Sequence, residues 1–145
     1  MANTYHKIYL QAVFAVKYRR ALLDKKWRNE VFAVMGNLIN QANCKTMIVN
    51  GVEDHVHCFF SMKPVASISD VMKTVKAKSS KYINDHNLIK NRFEWQKGYG
   101  VFSCNHEQID NVYRYIQTQE EHHRKSSFRK EYVNLLEKFD IDYDA

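Results

Sequence analysis

The sequence predicts an α+β fold of the ferredoxin-like sandwich type, in which helices cover one face of a mainly antiparallel sheet. Segments that alternate like strands and segments with the period of about 3.6 residues of helices follow in the order strand, helix, strand, strand, helix, strand, helix. The first two helices stand between strands, so both can pack on the same sheet face. No internal repeat or long linker divides the chain, which indicates one domain over residues 1–145.

Four elements are predicted in the first half of the chain. Apolar and polar side chains alternate over 6–16, which indicates a long first strand. Apolar residues recur at helical spacing over 27–42, which indicates the first helix. A strand rich in Thr, Ile and Val over 44–53 leads almost directly into a third strand that begins at His55. A tight hairpin between these two strands is the expected connection, with the exact break between them left open.

The second half of the chain begins with the second helix, which Ser67 opens with Asp70 as its capping partner. One more strand and two more helices follow it. The last strand is predicted over 95–104, and Asn105 caps a third helix that extends to about His123. A short amphipathic helix over about 127–139 ends the fold, and we expect a loose acidic tail over 140–145.

The composition excludes several classes of protein. No apolar run approaches the roughly 20 residues that span a bilayer, and the N-terminal residues lack the apolar core of a signal peptide. Three cysteines without a Cys-x-x-Cys pair predict reduced thiols. We therefore expect a cytoplasmic protein with no membrane partner. The net charge of +6 allows a nucleic-acid partner without requiring one.

Two histidines share one face of the third strand. Because residues two apart on a strand project to the same side, His55 and His57 point together, while Val56 and Cys58 point the other way. The same alternation places the histidines on the sheet face that the first two helices leave open. Two neighbouring imidazoles can bind one metal ion or phosphate. A lone His-x-His pair is more often exposed to solvent, so chemistry requires a third ligand and a reacting group.

Basic residues concentrate in two places that could contact a phosphate backbone. Arg19 and Arg20 follow the first strand. The second helix has no acidic residue between Asp70 and Asp85, and although a lysine-rich helix face is usually only solvated, this one favours backbone contacts. Tyr99, between two glycines, could meet a nucleotide base. The candidate lysines on the helix are Lys73, Lys76, Lys78 and Lys81.

The third helix carries a polar stripe beside its apolar one. At about 100° per residue, Tyr113 shares the core stripe, whereas Tyr115, Gln119 and His122 share a stripe to its side. An off-stripe tyrosine is most often an ordinary surface residue. Tyrosine, glutamine and histidine stacked on one helix face could, however, meet a metal site.

The ordered set of these motifs resembles the single-tyrosine HUH transposases of small bacterial insertion sequences. That family combines His-hydrophobic-His on a strand with Tyr-x-x-x-Gln on a later helix. The similar blocks are 51–57, 95–103 and 115–123, and the segment around 128–143 is also similar, so the resemblance spans nearly the whole chain. The family often has Asn before the glutamine, where this chain has Thr118.

By this resemblance Tyr115 is the nucleophile, and His55, His57 and Gln119 bind a divalent ion. Tyr113 and Gln117 are also four residues apart, but the family pattern and the helical angle both select Tyr115 with Gln119. Without a thiolate among the ligands, Mg²⁺ or Mn²⁺ is favoured over structural Zn²⁺. The base is left open between a metal-bound water and His122, an accessory candidate.

The resemblance also implies the reaction and the partners. The family cleaves and rejoins single-stranded DNA through a 5′-phosphotyrosine, and DNA hairpins at element ends are the expected ligands. It further implies a homodimer with shared active sites, in which the nucleophile helix can serve either its own subunit or the partner.

Two alternatives stay open at this point. One is a non-catalytic module that binds single-stranded nucleic acid through aromatic residues on the open sheet face, such as Tyr5 and Tyr9. The other is a host-adopted HUH nuclease that acts on chromosomal hairpins.

Overall fold

The computed structural model describes residues 3–143. The strands are β1 (Tyr9–Ala15), β2 (Cys44–Gly51), β3 (His55–Met62) and β4 (Gly100–Cys104). The helices are α1 (Arg28–Gln41), α2 (Ile68–Asp85), α3 (Ile109–Gln117), α4 (Gln119–Lys125) and α5 (Phe128–Lys138), and short 3-10 turns occur at Lys17–Arg19 and His106–Gln108. Of the predicted loose tail, 140–145, the last two residues lie outside the described part.

The four strands form one antiparallel sheet in the order β2-β3-β1-β4. This order, with α1 and α2 between strands, confirms the predicted ferredoxin-like α+β sandwich. β1 and β3 occupy the centre, where Val13 pairs with His57 and Ala15 pairs with His55. The histidine strand is therefore held on both sides, by β1 and by β2, which fixes its register.

Different helices pack on the two faces of the sheet. The first face packs against α1 and α2 through a core that includes Phe14, Val56 and Phe60. On the second face, α5 packs against Val13 and Phe102, and α3 packs against Phe59. The face that the first two helices leave open is therefore covered by the C-terminal helices, and His55 and His57 are fully buried there.

The structure corrects the predicted bounds in two places. The last strand begins at Gly100 rather than at residue 95, because Trp95 makes only an isolated bridge to Val16 and Gly98 then adopts the left-handed region with φ of 79°. The predicted continuous third helix is wrong, since it breaks at Thr118, where φ is −102° and ψ is 30°. The Thr118 hydroxyl donates to the carbonyl oxygen of Arg114 at this break, at 2.8 Å.

The helices of the structure were also compared with the length and polarity that a membrane span requires. Within residues 3–143, no helix combines the length and the apolar character that crossing a bilayer demands.

Gly51 closes the connection between β2 and the histidine strand. A methyl group at this buried position would lie 2.8 Å from Cα of Val56 and closer still to the carbonyl oxygen of His55. We expect Gly51→Ala to lower the free energy of unfolding by about 2–3 kcal/mol, because backbone atoms cannot yield as a side chain can. Denaturant unfolding followed by circular dichroism measures the change.

Gly36→Ala is the matched control for this substitution. Gly36 lies inside α1, and a methyl group there would meet the side chains of Thr46, at 3.4 Å, and Val49, at 4.0 Å, which are ordinary contacts. The gain in helix propensity of up to about 1 kcal/mol should leave this variant as stable as the parent or more stable. Equal stability of both alanine variants would contradict the close approach at Gly51.

Candidate active site

The two histidines are oriented through their Nδ1 atoms. Nδ1 of His55 lies 2.7 Å from Oδ1 of Asp54, and Nδ1 of His57 lies 2.8 Å from Oε1 of Gln11 on the neighbouring strand β1. In a neutral ring, an oxygen acceptor at Nδ1 keeps the proton there and leaves the Nε2 lone pair free for a ligand. Among residues 3–143, Nε2 of His57 is a buried atom without a hydrogen bond. An unbonded, buried ring nitrogen of this kind fits a metal ligand.

Gln119 approaches the histidines from the start of α4. Its side chain is fully buried, and its Oε1 lies 3.1 Å from Nε2 of His55. The break at Thr118 turns the chain so that Gln119, the first residue of α4, faces the sheet. The structure therefore brings together the three residues that the sequence predicts as metal ligands.

Tyr115 lies beside this cluster. Its ring meets the His57 ring edge to face, with 5.9 Å between centroids, and stacks on the His122 ring at 4.4 Å. It borders a cavity of about 510 Å³ between α3 and α5 that His122, Lys125, Asn134 and Lys138 also line. A phosphate that enters this cavity would therefore find the tyrosine on its wall.

The predicted core position of Tyr113 is wrong. Its side chain is 37% exposed, whereas Ile116 is the residue of α3 that is fully buried. Tyr113 and Tyr115 lie on opposite margins of the apolar stripe, and the sheet meets the margin with Tyr115. The structure therefore places the Tyr115 ring against His57, whereas the Tyr113 side chain faces solvent.

Glu131 on α5 is part of the cluster, although sequence reasoning did not select it. Its side chain is 5% exposed, and its Oε1 accepts a hydrogen bond from the Tyr115 hydroxyl at 2.5 Å. The same carboxylate lies 2.9 Å from Nε2 of His57 and 3.3 Å from Nε2 of His55. A signal existed in the sequence, because Glu131 stands inside the apolar stripe of the C-terminal helix, three residues after Phe128 and four before Leu135.

The buried carboxylate and its neighbours shift one another's protonation. Burial by itself would raise the pKa of Glu131, but the contacts with His55 and His57 outweigh it and hold the pKa far below its ordinary value. Burial by itself would lower the pKa of His55, but Asp54 and Glu131 raise it to about 9. The pKa of His57 is lowered, chiefly by burial. Burial and the negative Glu131 both raise the pKa of the Tyr115 hydroxyl, so this hydroxyl stays protonated near neutral pH.

These shifts predict how the stability of the metal-free protein depends on pH. The folded-state pKa of His55 is raised from 6.5 to about 9, so its stabilising contribution is complete below pH 6.5 and disappears as the pH rises through 9. We expect a loss on the order of 2–3 kcal/mol between pH 6.5 and pH 9.5. Thermal unfolding in the presence of EDTA measures it. Asp54→Asn removes one of the two carboxylates that hold the proton, and an undiminished pH dependence in that variant would contradict the assignment.

The predicted DNA-contacting residues lie away from this cluster. The lysines are on α2, which covers the opposite sheet face; Lys73 and Lys78 are exposed, and Lys81 pairs with Asp85. Lys76 is half-buried and donates to the backbone oxygens of Gln96 and Gly98 at 2.7 Å each. Arg19 and Arg20 are exposed at the end of β1, and Tyr99 packs on the core of the first sheet face, with the Lys76 ammonium 5.9 Å from its ring centroid.

The fold and the buried site define a class of protein. A ferredoxin-like sheet with a His-x-His pair on a central strand, faced by a tyrosine and a glutamine from a later helix, is the arrangement of the HUH tyrosine transposases. A family model described as "Transposase IS200 like" matches residues 4–119, and the chain therefore belongs to the IS200-like transposase family.

Known relatives agree with this membership. The chain is 28% identical over 106 residues to the transposase for insertion sequence element IS200 of Salmonella typhimurium strain LT2, and the alignment covers 70% of each protein. The protein of the same description from Salmonella typhi matches with the same identity and coverage.

Solved structures show the same fold. A transposase candidate from Deinococcus radiodurans R1 superimposes with a TM-score of 0.66 at 18% identity, over 82% of this chain and 95% of that one. A REP-associated tyrosine transposase, solved bound to a REP hairpin, superimposes with a TM-score of 0.59 at 13% identity, over 80% of this chain and 68% of that one.

Proposed function

We propose that this transposase cleaves and rejoins single-stranded DNA at hairpin-marked element ends through a 5′-phosphotyrosine on Tyr115. The observation that carries the proposal is the convergence of Tyr115, Gln119 and the two histidines on one buried point, although the strand and the helix are some 60 residues apart. A convergence of this kind has no role in folding that apolar residues would not serve better.

The chain's own groups perform separate parts of the reaction. The Tyr115 oxygen loses its proton and attacks the scissile phosphorus, the bond from phosphorus to the 3′ oxygen breaks, and the leaving oxygen takes up one proton to become a 3′-hydroxyl, so one proton is released and one is consumed. The bond energy is kept in the phosphotyrosine, so a 3′-hydroxyl can reverse the step without ATP. The hydrogen bond from the hydroxyl to Glu131 fixes the position of the attacking oxygen. His122 stacks on the face of the Tyr115 ring, which supports the orientation of the ring rather than a proton transfer.

We propose that His55, His57 and Gln119 hold a divalent ion, Mg²⁺ or Mn²⁺. The donors fit such an ion, since both imidazoles present Nε2 and the amide presents its oxygen toward the same space. A bound divalent ion supplies Lewis-acid polarisation of a non-bridging phosphate oxygen.

DNA contacts are proposed in two regions. The cavity beside Tyr115 would take the nucleotide that flanks the scissile phosphate, because Lys125 and Lys138 border it. Arg19, Arg20, Lys73, Lys78 and Lys81 are on other surfaces and would contact the DNA backbone far from the cleavage point. Lys76 would hold the backbone before β4, next to Tyr99, rather than contact DNA directly.

We propose that the site is completed within one subunit of a homodimer. The nucleophile helix is fastened to its own sheet, since the Asn50 amide donates to the carbonyl oxygen of Ile116 at 2.9 Å. The buried Arg28 also pairs with Glu120 on α4 at 2.9 Å. Mixing His57→Ala and Tyr115→Phe subunits tests this, because only an exchange of helices between subunits would restore an intact site.

The test of the function uses DNA hairpins with single-stranded flanks. Incubation with Mn²⁺ or Mg²⁺ should produce a covalent protein–DNA adduct in denaturing gels, and EDTA should prevent it. Binding across a broad hairpin library without any adduct would instead favour the non-catalytic module. Of the two aromatic residues named for that module, Tyr9 is only 8% exposed beneath α3 and cannot stack on a base, whereas Tyr5 is 88% exposed. A library that includes chromosomal hairpins also distinguishes a host-adopted nuclease from an element's own transposase.

A further inference from the structure

We propose that Glu131 is the anionic ligand of the divalent ion and joins the ion to the nucleophile. The inference rests on the proposed metal site and deepens it, because Glu131 lies on α5, beyond α3 with Tyr115 and α4 with Gln119. It assigns to the C-terminal helix a direct part in the site.

The first argument is distance. Donors at adjacent positions around an ion with bonds of about 2.1 Å in octahedral geometry lie about 3 Å apart. The Glu131 carboxylate lies 2.9 Å from Nε2 of His57 and 3.3 Å from Nε2 of His55, and Oε1 of Gln119 lies 3.1 Å from the same His55 atom. The separations between these donors are therefore already those of a coordination shell, and small movements would admit the ion.

The second argument is charge. Two neutral imidazoles and an amide carry no net charge, so they cannot compensate a divalent cation in a buried place. Glu131 is 5% exposed and supplies that charge. Its contact with His57 at 2.9 Å lacks hydrogen-bond geometry, so the nitrogen keeps a lone pair for another partner.

The third argument is the orientation of the other groups. The Gln119 amide donates to Oε1 of Glu131 at 3.2 Å, which turns the amide oxygen toward His55. Oε1 of Glu131 also accepts the hydrogen bond of the Tyr115 hydroxyl. One carboxylate thus positions a neighbouring ligand and the attacking oxygen together.

The test is Mn²⁺ binding to the DNA-free protein, measured by calorimetry and by electron paramagnetic resonance. Glu131→Gln should weaken Mn²⁺ binding by about 10–100-fold, since even outer-shell partners are worth that much, and the resonance spectrum of the bound ion should change. Glu137→Gln is the matched control, because Glu137 is exposed on the same helix and accepts a hydrogen bond from the Tyr143 hydroxyl, away from the histidines. His57→Ala is the positive control.

The outcomes separate this inference from the proposed function. Mn²⁺ affinity of Glu131→Gln within twofold of the parent would overturn the inference. A higher Mn²⁺ affinity of Glu131→Gln would also overturn the inference, because it would show that Glu131 occupies the metal site and competes with the ion. If Glu131→Gln does not fold, Glu131→Asp is the second variant, because its shorter side chain keeps the negative charge but holds it farther from the histidines. Unchanged Mn²⁺ affinity of Glu131→Asp would equally contradict the assignment. Tyr115→Phe should bind Mn²⁺ like the parent, so a failure of the nucleophile assignment leaves this test intact.

Discussion

Tyr115→Phe is expected to abolish the covalent protein–DNA adduct. The substitution removes only the hydroxyl group, and among the described residues Tyr115 supplies the one hydroxyl that hydrogen-bonds to Glu131 beside His57. Loss of a nucleophile typically costs far more than loss of an orienting group, so we expect at least a thousandfold decrease, to about the background rate. The measurement is adduct formed per unit time on a hairpin substrate with Mn²⁺.

Tyr113→Phe is the matched control for this experiment. The same atom is removed two residues away, from a side chain that is 37% exposed and lies on the other margin of the helix. We expect adduct formation within about twofold of the parent, as for most surface substitutions. An adduct that survives Tyr115→Phe and disappears in Tyr113→Phe would show that the nucleophile has been assigned to the wrong tyrosine.

His57→Ala is expected to cause the second largest loss, at least about a hundredfold in adduct formation. The substitution removes one imidazole donor and leaves Glu131 and Gln11 buried with one partner fewer. Raising the Mn²⁺ concentration should restore part of the activity, because weaker metal binding rather than loss of the nucleophile limits the reaction. Adduct formation over a Mn²⁺ titration, with a parallel unfolding curve, separates the two effects.

His6→Ala is the control for histidine loss, because His6 is exposed ahead of β1. It should leave the Mn²⁺ dependence unchanged. If His57→Ala remained folded and formed adduct with the parent's rate and Mn²⁺ dependence, the metal centre would have to lie elsewhere.

The sheet and one half of the site could be predicted from sequence because both follow from local periodicity. Alternation along β3 places His55 and His57 on one face, and the register with β1 and β2 keeps them there. The helical angle separates Tyr115 from Tyr113 for the same reason, since the angle depends only on spacing. The resemblance to the family adds that the histidine strand and the tyrosine helix form one site. The periodicity of the strand and the periodicity of the helix do not contain this information.

The cover of the histidine face could not be predicted in the same way. Periodicity shows that the C-terminal helix has an apolar side, but it does not show which surface receives that side. In the structure, Phe128 and Tyr132 pack against the face with the histidines, and this packing buries Glu131 next to them. The position of Glu131 among the apolar residues of α5 is the one feature of the sequence that indicates this contact. It can be interpreted only when the surface that α5 covers is known.

The error in the third helix has a similar cause. Its residues have helical propensity through Thr118, and the break is made by contacts from distant parts of the chain. Asn50 on β2 donates to the carbonyl oxygens of Ile116 and Gln117, at 2.9 Å and 3.2 Å, so both carbonyls leave the pattern of a continuous helix. The predicted single helix and the observed pair differ by this tertiary contact, which also turns Gln119 into the site.

Peptide mapping of the covalent adduct tests the central claim most directly. Trypsin cleaves after Arg114, so Tyr113 and Tyr115 fall into different peptides, and the peptide of residues 115–124 contains Tyr115 as its one tyrosine. After nuclease digestion of the DNA, we expect the mass of a 5′-linked nucleotide on this peptide, formed with Mn²⁺ and absent with EDTA. The same mass on the peptide that ends at Arg114, or on any other peptide, would contradict Tyr115 as the nucleophile of a metal-dependent site.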